Sequence, residues 1–147
     1  MGKLEIGGIM DLELVFSRLE DVPKEITEAA VTAMAEVAAV KVKAAGESMG
    51  VKDPESSVHF LDKITLTKVT HTDSGARRDV TFKGSRTRGE EKKTKTREAE
   101  IAFVNEFGKR RQPARPFMKL AAEQYEQEIT DPGAQILGDW IEKTFEQ

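Results

Sequence analysis

The sequence predicts an α+β fold: an antiparallel β-sheet of about four strands packed on a long α-helix, with two C-terminal helices. Three observations predict it. From Lys24 to about Ala45 no helix breaker intervenes, and apolar residues step at intervals of three and four. The runs LDKITLTKVTH and ARRDVTFKG, joined by TDSG, have the composition of two strands linked by a hairpin turn. Beyond a proline pair, ARPFMKLAAE resumes helical spacing, and that spacing persists almost to the last residue.

A chain of 147 residues is expected to form one domain, 1–147. With 38% hydrophobic but only 6% aromatic residues the core is thin, which leaves room for a partner surface to complete it. No cysteine is present, so disulfides, thiolate nucleophiles and thiolate metal sites are excluded. No stretch approaches the roughly 20 apolar residues that span a bilayer, so no membrane contact is expected. The opening MGKLEIGGIMDLELVF is acidic where an export signal would be basic, and Ile6 stands where a myristoylation motif wants Ser or Thr.

The elements follow in order. Lys3 to Ile6 alternates as a short strand, Gly7-Gly8 breaks it, and Ile9, Leu12, Phe16 and Leu19 recur at helical spacing, predicting a short amphipathic helix that ends at Asp21 to Pro23. In the long helix one stripe runs Ile26, Ala30, Ala33, Val37, Val40 and Ala44, and a second runs Val31, Met34, Ala38, Val42 and Ala45. Gly46 or Gly50 is the expected terminator. Met49 to Ser57 is loop chemistry. In the second hairpin strand Ala76, Arg78, Val80 and Phe82 share a face. In the first, Val69 falls out of phase with Ile64 and Leu66, predicting a bulge or a change in burial near Lys68. GSRTRGEEKKTKTREAE has no period and reads as an exposed charged loop over 84–99, and Glu100 to Val104 resumes strand character. Pro113 and Pro116 force an extended approach to a helix opening at Pro116, with Phe117, Ala121, Tyr125 and Ile129 on one side. Thr130 or Asp131 then caps a last helix whose first residue is Pro132.

Chemistry is scarce along this path. His59 and His71 lie in different elements without a second ligand at helical spacing, so no metal site is expected. No nucleophile elbow, phosphate loop, dinucleotide fingerprint or calcium loop occurs, and no pair of carboxylates is set in apolar sequence. The expectation is a protein without catalytic residues or cofactor.

Charge is more informative. Residues 1–60 carry net −5, residues 61–119 net +8 and residues 120–147 net −6. Such a partition suits head-to-tail contact between identical subunits or a polyanion held by the middle. The candidate contact residues are Arg86, Arg88, Lys92, Lys93, Lys95 and Arg97 in the charged loop, with Lys109, Arg110, Arg111 and Arg115 beyond it. Glu90 and Glu91 interrupt the run and no aromatic interleaves with it, so with nucleic acid it supports only non-specific phosphate contact.

One segment carries a resemblance. IAFVNEFG, then a basic turn, then ARPFMKLA, resembles the C-terminal signature of a tailed-phage family of tail-completion proteins, which includes minor tail and head–tail joining components. In that family a strand ends in a glutamate, an aromatic and a glycine, and a variable loop leads to a proline-aromatic pair that opens a helix. The matching residues are Glu106, Phe107 and Gly108, then Ala114, Arg115, Pro116, Phe117 and Ala121, with Pro113 stiffening the approach. LEIGGIMDL is similar to the family's strand, glycine and short helix. The chain departs from the pattern at SSVHFLDKI, where a glycine turn is usual, and in its longer charged loop. The resemblance implies a structural, non-enzymatic subunit of a homo-oligomeric ring, with a hexamer expected, at the head-proximal end of a phage tail or tail-like particle assembled in a bacterial cytoplasm. Its partners would be further copies of itself and other tail or neck proteins, with passing contact with DNA.

Overall fold

The computed structural model describes residues 2–6, 10–15, 22–51, 59–72, 75–88 and 94–145. The fold is α+β, as the sequence predicts. Strand β1 (Gly2–Ile6) pairs antiparallel with β2 (Met10–Val15), and β2 pairs antiparallel with β5 (Gly75–Phe82). The other edge of β5 is covered first by β3 (Ile64–Leu66) and then by β4 (Thr70–Thr72). Among the described residues the sheet order is therefore β1-β2-β5-β3, with β4 continuing the β3 edge. The helix expected over Ile9 to Leu19 is corrected here: Met10–Val15 is a strand, hydrogen-bonded on both sides. Met10, Leu12 and Leu14 alternate as well as any helical subset does, and pairing with β5 decides between the two periods. Phe16 and Leu19 lie outside the described residues, as do Gly7, Gly8 and Asp21.

The bulge foreseen near Lys68 is present. Leu66 faces Val80 and Thr70 faces Arg77, so Thr67 to Val69 oppose only Arg78 and Asp79. Asp79 clasps the irregular residues: its carbonyl accepts from Thr67 N–H at 2.9 Å, and its own N–H donates to Thr67 Oγ1 at 2.9 Å.

Helix α1 (Lys24–Ser48) lies across the sheet. Its buried face is Ala30, Val31, Met34, Ala35, Ala38, Val42 and Ala45, mainly the second of the two stripes. Val40, from the first, is 66% exposed. The helix runs through Gly46 and ends as a Schellman motif at Gly50 (φ +68°), where Val51 N–H reaches Gly46 O and Gly50 N–H reaches Glu47 O, both at 3.2 Å. Gly46 serves packing instead, since a Cβ there would lie 2.6 Å from Leu61 Cδ2.

Three further expectations are corrected. The charged loop folds as a β-ribbon of β6 (Ser85–Arg88) and β7 (Thr94–Arg97); serine and threonine alternate with cations along it, and both faces are polar, so no hydrophobic period announces them. Residues 100–104 belong to a helix, α2 (Glu98–Phe107), whose buried side is Glu98, Ala102, Asn105 and Glu106. After α3 (Phe117–Gln124) the last helix, α4 (Glu126–Phe145), begins six residues before Pro132 and carries that proline inside. Proline forfeits one donor there, and the helix accepts this because α4 is packed along α1, with Gly133 lying directly over Met34.

The buried side chains form one cluster centred on three phenylalanines. Phe60, from a turn of 3-10 helix (Phe60–Lys63), Phe82 of β5 and Phe117 of α3 meet edge to face, with centroids 5.5, 5.7 and 6.2 Å apart. Replacing Phe117, which is wholly buried, by alanine should lower the unfolding free energy in urea by about 3–5 kcal/mol. Val40→Ala should change it by less than about 0.5 kcal/mol, although periodicity places both residues on apolar helix faces.

Candidate functional site: a clamped basic turn beside an exposed aromatic pair

The segment from Asn105 to Lys119 joins α2 to α3, and a series of backbone hydrogen bonds ties it down. Gly108 ends α2 by donating to Val104 O at 2.7 Å. Its backbone, φ +76° and ψ 178°, lies in a region essentially reserved for glycine. A Cβ there would sit 2.8 Å from Ala114 N and 2.9 Å from Gln112 O. Lys109 and Gln112 then exchange both backbone hydrogen bonds, at 2.9 and 3.0 Å, so that Arg110 and Arg111 form a two-residue tip.

The return path is as fixed as the outgoing one. Arg115 N–H donates to Asn105 O at 2.6 Å, and its guanidinium Nη1 donates to Gly50 O at 2.8 Å, binding the segment to the end of α1. Pro116 (φ −75°, ψ 70°) is the centre of an inverse γ-turn closed by Phe117 N–H to Arg115 O at 2.8 Å. Glu106 completes the clamp. Only 2% exposed, it reaches across from α2 so that Oε2 accepts Met118 N–H at 2.8 Å and Oε1 accepts Lys119 N–H at 3.0 Å. A carboxylate from one helix thus caps the N-terminus of the next, where the orphan donors and the helix dipole both favour negative charge. Burial pushes the Glu106 carboxyl above its ordinary value, against the opposing pull of these two N–H groups and of Lys119.

The residues foreseen as a basic contact set do not form one patch. Lys109, Arg110 and Arg111 are exposed on the turn. Arg115 donates to Gly50 O, and the Arg86 guanidinium grips the Glu98 carboxylate with two bonds, 2.9 and 2.8 Å, at a carboxylate only 1% exposed. Lys95 and Arg97 are exposed on the other face of the ribbon, in register with Thr87 and Ser85. Arg88 belongs to β6, while Lys92 and Lys93 lie outside the described residues. The ribbon enters the N-terminus of α2 and the turn leaves its C-terminus, so the helix holds the two basic groups roughly 15 Å apart by its ten-residue length.

Of the motif residues, Glu106, Gly108, Pro116 and Phe117 act as internal structure, while Pro113 is exposed on the return path. Phe107 is not internal either. It is 48% exposed and packs against Phe103, itself 51% exposed, with the rings tilted at 48° and a centroid distance of 4.8 Å. Their spacing of four residues was visible in the sequence, but assigning 100–104 to a strand hid it. Among the described residues no group of acidic side chains and histidines is arranged to hold a metal ion. His71 Nε2 meets Glu28 Oε1 at 2.6 Å, tying β4 to α1, and the buried His59 Nδ1 has no hydrogen-bond partner among the described residues. No helix among the described residues is long and apolar enough to cross a membrane.

No protein-family model, curated protein or solved structure matches the chain.

Glu106→Ala should cost about 2 kcal/mol of stability, because the Met118 and Lys119 N–H groups lose their acceptors. The pH dependence has a defined sign. A carboxyl raised in the folded state contributes most below its unfolded value of 4.5 and loses that contribution as pH rises through the folded value. The stability difference between wild type and Glu106→Gln, followed by urea unfolding from acid to neutral pH, should therefore shrink as pH increases.

Proposed function

We propose that the chain is a structural, non-enzymatic virion protein: a ring-forming tail-completion or head–tail joining component of a tailed phage or phage-tail-like particle, assembled in the bacterial cytoplasm with other tail or neck proteins. The observation that carries this reading is the clamped turn. A ring repeats one contact around its circumference, and such a contact gains from a surface ordered before binding, since ordering it on association would cost affinity. Lys109, Arg110 and Arg111 are held in that way by Gly108, by the Lys109–Gln112 bridge and by the Glu106 cap. The acidic, basic, acidic charge partition also supports it.

A second reading, non-specific nucleic-acid binding, is favoured by the ribbon, where exposed Ser85, Thr87, Lys95 and Arg97 set hydroxyls opposite cations on one face. Binding of duplex DNA that weakens steeply as salt is raised would support it, and absence of binding at low salt would remove it.

The first test is electron microscopy of particles from a producing strain with this gene deleted. Heads and tails that form but remain unjoined, or tails of disturbed length, are expected; normal joined particles would defeat the tail-completion reading. Arg110→Glu combined with Arg111→Glu should block complementation of that deletion. The purified double variant should unfold within about 0.5 kcal/mol of wild type, since both side chains are exposed at a turn tip.

A further inference from the structure

Phe103 and Phe107 are two of the three large apolar side chains that the described residues leave exposed, and their tilted rings pack together along the outer side of α2. Isolated exposed apolar residues need no explanation, but a contacting aromatic pair is the composition of an interface centre. One glycine separates Phe107 from the basic turn, so an apolar centre and a cationic rim adjoin.

The complementary surface is present elsewhere on the same chain. Helix α4 turns Glu128, Asp131, Gln135, Asp139 and Glu142 outward at intervals of three and four, all exposed, as an acidic stripe along its length. Glu128 is paired with Lys41 and Asp131 is bonded to Gln127, which leaves the half of the stripe at Asp139 and Glu142 as the stronger candidate for an outside cation. The two surfaces stand on different parts of the molecule: α2 packs on the Phe60–Lys63 turn, α3, β5 and β7, whereas α4 packs on α1, α3 and β1.

We infer that the Phe103–Phe107 pair and the Lys109–Arg111 turn of one subunit dock on the outer face of α4 in a second copy of this chain. The inference rests on the ring reading above and names both halves of its contact. The phenyl rings lie against the methylene stems of the α4 side chains, and the turn cations meet Asp139 and Glu142. Because the two halves differ, the contact is heterologous: each subunit offers one of each, and successive copies close into a ring or continue as a filament.

Sedimentation velocity of the full chain tests this. Wild type should show an average mass that climbs with concentration and falls with added salt. Phe103→Ser with Phe107→Ser should weaken association by roughly tenfold or more while the thermal unfolding midpoint stays near that of wild type. Arg110→Glu with Arg111→Glu, and separately Asp139→Lys with Glu142→Lys, should each weaken it, and mixing the two charge variants should restore it. A wild type that stays monomeric at every concentration, a phenylalanine variant that associates normally, or a mixture that fails to recover would each overturn the inference. These outcomes are separable from the particle experiment, because normal joined particles from the deletion strain would defeat the phage-tail reading whatever the purified chain does.

Discussion

Two backbone N–H groups at the start of α3 find their acceptor in the buried Glu106 carboxylate. Much of the C-terminal half follows from that contact. The carboxylate fixes the distance between α2 and α3, so the chain between them must turn back sharply, and Gly108 supplies the backbone geometry that no side chain tolerates. With α3 held in place, Phe117 is delivered to Phe60 and Phe82, and the sheet, the 3-10 turn and the C-terminal helices share one core. A buried charge is a costly way to join two helices. Its compensation is directional: an apolar contact would hold α2 against α3 without fixing how either is rotated.

What was legible in the sequence was whatever apolar periodicity or backbone chemistry announces. The long helix, the β5 face of Ala76, Val80 and Phe82, the bulge after Leu66 and the anchoring role of Phe117 are of this kind. The failures share a different cause. α2 buries Glu98 and Glu106, residues that a sequence pattern places in solvent, so its real inner face looked polar and the strand-like alternation of Ile101 and Phe103 prevailed. The β6–β7 ribbon has two polar faces, so pairing geometry alone reveals it. α4 starts before Pro132 because its contact with α1 outweighs a local signal for initiation. At the candidate site the motif residues were found, but their division into internal scaffold and exposed Phe107 depended on knowing that the segment is helical.

The resemblance to tail-completion proteins placed the EFG tripeptide at the end of a strand, whereas it ends a helix here. The functional reading therefore draws on the rigidity and charge of the turn that follows, which hold whichever element precedes it. The same change of element sets the aromatic pair on one helical side, where in a strand residues four apart would be separated by two pleats.

The irregular stretch from Thr67 to Val69 sets which side chains the next strand offers to α1. Continued in the phase of Ile64 and Leu66, the edge would direct Lys68 and Thr70 toward the helix. The added residue brings His71 opposite Ala76 instead, on the side where Glu28 of α1 waits at 2.6 Å. The bulge thus decides the pairing at this edge: a regular ladder through the same residues would set Thr70 opposite Ala76 and exchange a histidine–carboxylate tie for a lysine aimed at an alanine-rich helix.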